Sequence, residues 1–323
     1  NLPGFNADFE DAKGRNASDD IKAELIKLKA QNVEGIILDL RNNGGGSLTE
    51  VVDIMGLFMK NGPVVQVKDG NGKIQVLKNK QNDPIWTGPL VIMQNELSAS
   101  ASEILAGAMQ DYGRAVIVGS PQSFGKGTVQ TFVELNRFLN TSDDFGALKL
   151  TIQKFYRVNG KSTQLKGVES DIPMKDVFSY EEIGERFDNY ALPWDQVNSS
   201  SFTVNNSINV AELAKNSQSR MAQNKFYQLL LESAQWREKL DKEEKISLNL
   251  KEFEAVMKTR KAQIDKFKPL IKYNNGLNFA LHADELARGK TDEVFAKKSE
   301  NWMKNLKRDI YLQETVNIIS ELK

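Results

Sequence analysis

Three short runs in this sequence hold residue types that could do chemistry. The first is Ser98-Ala99-Ser100-Ala101-Ser102-Glu103. It falls where an apolar run, Pro89 to Met93, gives way to a helical pattern. In a layered α/β chain such junctions are where ligands collect, and helix-start amides favour negative charge developing beside them. The same run fits a plain structural role, since Ser100 and Glu103 match the S-x-x-E capping box. The second run is Phe124-Gly125-Lys126-Gly127-Thr128. Glycines on either side let the backbone approach closely and hold an amine in a tight pocket. Burial lowers a lysine pKa, and only the neutral amine acts as a base. A solvent loop accounts for the same residues. The third run is Arg41-Asn42-Asn43-Gly44-Gly45-Gly46-Ser47, after a buried strand pattern and before a helix. Consecutive glycines there can aim N–H groups at an anion, as an oxyanion hole requires, or can form a simple tight turn. Asp39 and Asp111 are weaker candidates. Asp39 ends a strand pattern, and Asp111 could pair with Arg114 on the surface.

Two counts narrow the chemistry. The chain has no cysteine, which excludes a thiol nucleophile, thiolate metal sites and disulfides. Its one histidine, His282, lies in a charged, helix-like segment, so a cluster of histidine ligands for zinc is excluded. A Ser-His-Asp triad would have to recruit that residue. A phosphate-binding loop, G-x-x-x-x-G-K-[ST], is also excluded. Five residues separate Gly119 from Gly125, and Gly127 stands where Ser or Thr should bind magnesium. A serine at a helix start, a lysine between glycines, a glycine turn and no useful histidine together suit a Ser-Lys hydrolase. That chemistry needs no cofactor and no metal.

The elements that must position these runs alternate in type. Ser18-Asp19-Asp20 reads as a helix start, with Ile21, Leu25 and Leu28 on one apolar face. Gly35 to Leu40 is a short buried strand, and Leu48 to Met59 a helix. Val64–Val67 and Ile74–Leu77 form a hairpin about Asp69-Gly70-Asn71-Gly72. Pro89–Met93 is a strand, Ser100–Tyr112 a helix and Ala115–Gly119 a strand. Val129–Leu135 and Leu148–Val158 are further strands. This alternation implies an α/β architecture with a largely parallel sheet over residues 1–178. Tyr190 to Trp194 and Asn198-Ser199-Ser200-Ser201 read as a connecting segment, and from about Val210 onward the chain is charged and helical. The stretch Lys239–Lys268 reads as a solvated helix face with a buried stripe, and Glu314–Leu322 as a closing helix.

The 323 residues suffice for about two domains. Lys plus Arg and Asp plus Glu both number 43, so no basic excess points to nucleic acid or an anionic membrane. No apolar run approaches the ~18 residues of a membrane span. The chain starts at Asn1 and shows no signal peptide, as expected of a mature or trimmed fragment.

The three runs resemble the tail-specific, or C-terminal processing, family of serine peptidases. The matching stretches are Ile37 to Gly46, Ser98 to Ile104, Phe124 to Gln130 and Leu148 to Ile152, continuing to Asp171-Ile172. Ala191 to Asp195 and Tyr311 to Ile318 resemble the helical extension of long bacterial members. The resemblance implies a ClpP/crotonase-like α/β catalytic domain, residues 1–178, and a mostly helical domain, residues 179–323. It makes Ser100 the nucleophile, Lys126 the general base and Gln130 the residue that orients the lysine amine. The N–H groups of Gly46 and Ala101 would form the oxyanion hole, and Asp111 would be structural. It implies cleavage of unfolded or C-terminally accessible polypeptides in a periplasm or envelope, with an envelope adaptor protein as an allowed partner. It says nothing of oligomeric state. Two departures stand out. The segment Gly119–Gly125 is one residue longer than the family's usual run, with Ser123 where Thr is common. Asn1-Leu2-Pro3-Gly4-Phe5 resembles the point just after the family's PDZ domain, so that substrate reader is expected to be missing. A peptide-binding or scaffold fragment without catalysis is the alternative, and Leu148–Tyr156 could pair with an extended peptide in either case.

Overall fold

A computed structural model describes residues 1–8, 14–138, 143–243 and 245–322. Glu244, inside the charge-rich stretch, lies outside the described residues. The elements run α1 (Ala17–Ala30), β1 (Ile36–Asp39), α2 (Leu48–Phe58), β2 (Gly62–Asp69), β3 (Ile74–Asn79), β4 (Leu90–Gln94), α3 (Ala101–Asp111), β5 (Val116–Gly119), β6 (Thr128–Glu134), β7 (Ala147–Tyr156) and β8 (Ile172–Pro173). Helices α4 (Val210–Gln223), α5 (Lys225–Asp241), α6 (Leu250–Phe267), α7 (Ala283–Gly289), α8 (Glu293–Leu306) and α9 (Ile310–Glu321) follow.

Two compact units result. One comprises Asn1–Met174, Glu182–Ala211 and Leu322; the other comprises Lys175–Glu181 and Glu212–Glu321. The position 178/179, where the sequence suggests a domain boundary, falls inside the short segment that packs with the second unit.

The strands of the first unit divide into two sheets. One is parallel throughout, in the order β1-β4-β5-β8. Its central strands β4 and β5 are buried along their whole length, as strands covered on both faces are, and read as apolar runs. Leu90, Val91, Ile92 and Met93 of β4 and Val116, Ile117 and Val118 of β5 are all buried. Leu90, Ile92 and Ile117 pack in one core with Val51, Ile54 and Met55 of α2 and Leu105 and Met109 of α3. The register aligns the strand ends: Asp39 pairs with Met93, and Gln94 with Gly119. The three loops that leave these ends therefore start at one level.

The second sheet, β3-β2-β7-β6, is antiparallel. Its β2–β3 pair is the hairpin that the sequence suggests; the departure from a largely parallel reading lies in β6 and β7, which pair antiparallel with each other, β7 also with β2. The β2–β3 connection is too short for the crossover of about a dozen residues that parallel pairing needs. The Asp69 carboxylate accepts from Asn71 N and Lys73 N, both at 2.9 Å, and makes it a tight turn. Strand β7 lies between β2 and β6, and β2 covers it only from Gln153 to Tyr156.

In the second unit, α6 does not bury the stripe that its spacing suggests. Phe253, Val256 and Met257 are 41%, 45% and 43% exposed, and α6 has no buried residue. Its contacts with α5 gather toward its C-terminal half. Phe267 packs on Trp236 with ring centroids 5.7 Å apart, and Lys266 pairs with Glu232. His282 is the N-cap of α7, where its Nδ1 accepts from Asp284 N at 3.3 Å.

Candidate active site

The glycine turn leaves β1, the serine run leaves β4, and the lysine loop leaves β5, three strands adjacent in the parallel sheet. Ligands collect beyond the carboxyl ends of such strands. The local chemistry then stitches the loops together. Asn42 N donates to Asn95 Oδ1 at 2.9 Å, and Asn95 Nδ2 donates to Asn42 Oδ1 at 2.8 Å. Ala99 N donates to Asn43 O at 3.0 Å, and Phe124 N to Ser98 O at 3.0 Å. From outside, Phe5 braces the glycine turn: its N–H donates to Gly45 O, and its carbonyl accepts from Ser47 N.

The three serines of the 98–102 run have different fates. Ser98 and Ser102 are each 1% exposed, and their hydroxyls donate to Leu40 O (2.8 Å) and Asn43 O (2.9 Å). Both are spent on holding the glycine turn. Ser100 is only half-buried and is the N-cap of α3, with φ 57° and ψ −109°. A non-glycine residue with that backbone is strained by roughly 1–3 kcal/mol, a cost that clusters at functional sites. Gly45 explains how close the turn comes. A Cβ there would lie 2.8 Å from Ser100 Cβ and 3.0 Å from Ala101 N. Ala101 N–H opens α3 and has no intrahelical acceptor. Gly46 is the next residue of the turn and rests on Phe5, whose carbonyl would be 2.4 Å from an added Cβ.

Lys126 is half-buried. Its loop lies against residues 162–165: Thr163 Oγ1 donates to Lys126 O (2.9 Å), and Gly127 N donates to Gln164 Oε1 (2.8 Å). A Cβ on Gly127 would meet Gln164 N at 2.6 Å, so the glycine is required by close approach. Burial holds the Lys126 amine below the usual lysine range. The charge of Lys149 adds to this, while Glu185 and Glu103 oppose it. Among the described residues, no hydrogen bond joins Lys126 Nζ to Ser100 Oγ. Gln130 lies exposed on β6, beyond an irregularity in register at Val129/Gln130, and makes no hydrogen bond to Lys126.

Glu103 is what the sequence reading left in a minor role. It is fully buried, and Oε2 accepts from Ser100 N at 2.7 Å, as a capping box requires. The same carboxylate also accepts from Ser123 Oγ (2.6 Å), Gly125 N (2.7 Å) and Lys126 N (3.0 Å). The available signal was its apolar company, Ile104-Leu105, unusual for a solvent-facing cap. Asp111 does not pair with Arg114. It is buried against Arg157, with Asn159 Nδ2 donating to Oδ1 at 2.8 Å. Burial pushes its carboxyl up, and Arg157 opposes the shift. Arg114 is instead spent on Phe58 O (2.8 Å) and Trp86 O (2.9 Å). Asp39 is held by Arg41 in a two-pronged pair.

The family model described as peptidase family S41 matches residues 1–174, the span that contains all three loops. The chain belongs to peptidase family S41. A second model, the C-terminal domain of tail specific protease, matches residues 178–323. A tail-specific protease of Haemophilus influenzae is 44% identical over 221 residues, which is 64% of this chain and 32% of that protein. A carboxy-terminal-processing protease of Bartonella bacilliformis is 38% identical over 154 residues, 47% of this chain and 33% of that protein. The matched stretch thus spans about a third of each relative's length. Among solved structures, a photosystem II D1 C-terminal processing protease covers 54% of this chain and 41% of its own, at 29% identity and a TM-score of 0.46.

Proposed function

We propose that this chain is the catalytic portion of a serine endopeptidase that cleaves unfolded or C-terminally accessible polypeptides through a Ser100–Lys126 dyad. Ser100 Oγ attacks the scissile carbonyl and passes its proton to neutral Lys126 Nζ. The N–H groups of Gly46 and Ala101 receive the oxyanion. The tetrahedral intermediate collapses as Lys126 returns the proton to the leaving amine, and water hydrolyses the acyl-enzyme by the same route. Catalytic hydrogen bonds commonly tighten only with substrate bound, and the Ser100–Lys126 bond is expected to form there. Gln130 would orient the amine in the substrate complex. The free edge of β6 and the part of β7 left open by β2 offer main-chain groups to an extended peptide. A periplasmic or envelope setting, with an adaptor protein there, is part of the same proposal and rests on the family resemblance.

One observation carries the reading: of three serines at the end of β4, two are buried and hydrogen-bonded, and the third stands strained at a helix start beside a glycine turn. The partly desolvated Lys126 supplies the base. The test is Lys126→Arg assayed on an extended fluorogenic peptide across pH. Guanidinium keeps the charge but does not deprotonate, so hydrolysis should fall by about 10²–10⁴-fold at every pH. Wild type should gain activity as pH rises through the Lys126 pKa, which burial sets below the usual 10.5. Substantial activity in the arginine variant would rule out the lysine as base.

A further inference from the structure

The Glu103 carboxylate receives four hydrogen bonds, two on each oxygen. Oε1 takes Ser123 Oγ and Gly125 N, and Oε2 takes Ser100 N and Lys126 N. Only one of these belongs to a helix cap. The other three cross to the loop that carries the lysine, so a single oxygen holds the main chain of both reacting residues.

Resting on the Ser100–Lys126 reading, we propose that Glu103 is a positioning residue for that reaction. Its ionised carboxylate ties the nucleophile's turn and the base's loop to one point, and its protonation loosens the pair. All four partners donate, and three are backbone amides that cannot turn round. A proton on either oxygen therefore faces a donor and must displace one bond. The Ser123 hydroxyl is the partner that can rotate, and it already accepts from Val168 N at 2.7 Å. Burial works against the ionised form and pushes the Glu103 carboxyl up to about 7, in spite of the four hydrogen bonds. The neighbouring charges are few. Lys126 faces Glu103 from the loop, and Lys149 and Glu185 act on the Lys126 amine. Arg41 on the glycine turn is engaged by Asp39, Asp111 on the same helix by Arg157, and Lys166 lies over the Trp194 ring.

A cap alone would predict something else: loss of the carboxylate would cost stability and leave the pH profile of turnover unchanged. The experiment measures kcat and KM from pH 5 to 10 for wild type, Glu103→Gln and Glu103→Asp. In wild type, kcat should fall on the acid side in two steps, the lower near 7. Glu103→Gln should lower kcat by about tenfold or more at pH 8, change KM less than about twofold, and lose the lower step. Glu103→Asp keeps a carboxylate on a shorter stem; it should retain the lower step with reduced kcat. An unchanged kcat profile in Glu103→Gln would overturn the proposal. The second arm needs no catalysis: urea unfolding of Ser100→Ala and Ser100→Ala/Glu103→Gln between pH 4.5 and 8. A carboxyl raised in the folded state lends stability below its unfolded value of 4.5 and loses it as pH rises to about 7. The glutamate protein should therefore lose stability relative to the glutamine protein across that window. A flat difference in an active enzyme would sink this proposal alone. A wild type silent on every peptide would sink the protease reading and the positioning role together, even with the titration intact.

Discussion

Ser100 combines a strained backbone with a hydroxyl that, unlike those of Ser98 and Ser102, donates no bond to the glycine turn. The Ser98 and Ser102 hydroxyls hold the carbonyls of Leu40 and Asn43. Ser98→Ala or Ser102→Ala should each cost about 1 kcal/mol of stability, because a buried carbonyl loses one of its two donors and keeps the other, Asn43 N on Leu40 O and Ala99 N on Asn43 O. Turnover should persist in both, since neither hydroxyl reaches the reaction. Ser100→Ala should do the opposite, lowering hydrolysis by about 10³-fold or more while the melting temperature stays near wild type. Melting curves beside peptide hydrolysis separate the three. Activity retained in Ser100→Ala and lost in Ser102→Ala would move the nucleophile.

The elements that bring these residues together are held by a buried ion pair. Asp111 ends α3, whose other end carries Ser100, and Arg157 follows β7 of the second sheet. Arg157 also donates to Gly107 O and Gln110 Oε1, so it closes the last turn of α3 from outside. Asp111→Ala would leave a buried guanidinium without its counter-charge. We expect a loss of about 3–5 kcal/mol in urea unfolding, with any fall in activity following from it. A double variant that also replaces Arg157 with methionine should regain part of that stability, since no charge is then left buried alone. Equal stability in the single and double variants would mean that the pair does not join these elements.

At the scale of the whole molecule, composition sets the expectations. With no cysteine and one histidine, hydrolysis should be unaffected by chelators and thiol reagents. Among the described residues, no group of three or more acidic or histidine side chains could hold a metal ion. His282→Ala should leave turnover near wild type and cost about 0.5–2 kcal/mol locally, because the ring caps α7. Inhibition by a chelator that added zinc reverses would overturn the dyad. The second unit keeps an amphipathic α6 whose apolar positions stay exposed, so spacing alone overstated its burial.

Local pattern made much of this legible. Apolar runs located β4 and β5 most clearly, because a strand buried on both faces must be apolar along its length, whereas the two-residue β8 was too short to leave a pattern. The glycines of the lysine loop could be read as close-approach residues, and Gly127 is one because the Gln164 backbone lies against it. The serine run could be placed at a helix start, but its three hydroxyls look alike in sequence. Only the fold sent two of them into the glycine turn and left the third strained and accessible. Only the fold sorted the strands into two sheets, since whether a connection crosses over depends on where its ends lie. Pairing followed the same rule: Asp111 lies 46 positions from Arg157 and beside Arg114 in sequence, yet burial joined the distant pair. Glu103 makes the point most plainly. Its i, i+3 spacing announced a cap, while three of its four hydrogen bonds run to residues 20 to 23 positions away. Such contacts are invisible to local pattern, because a buried carboxylate is satisfied by whatever donors the tertiary structure brings to it.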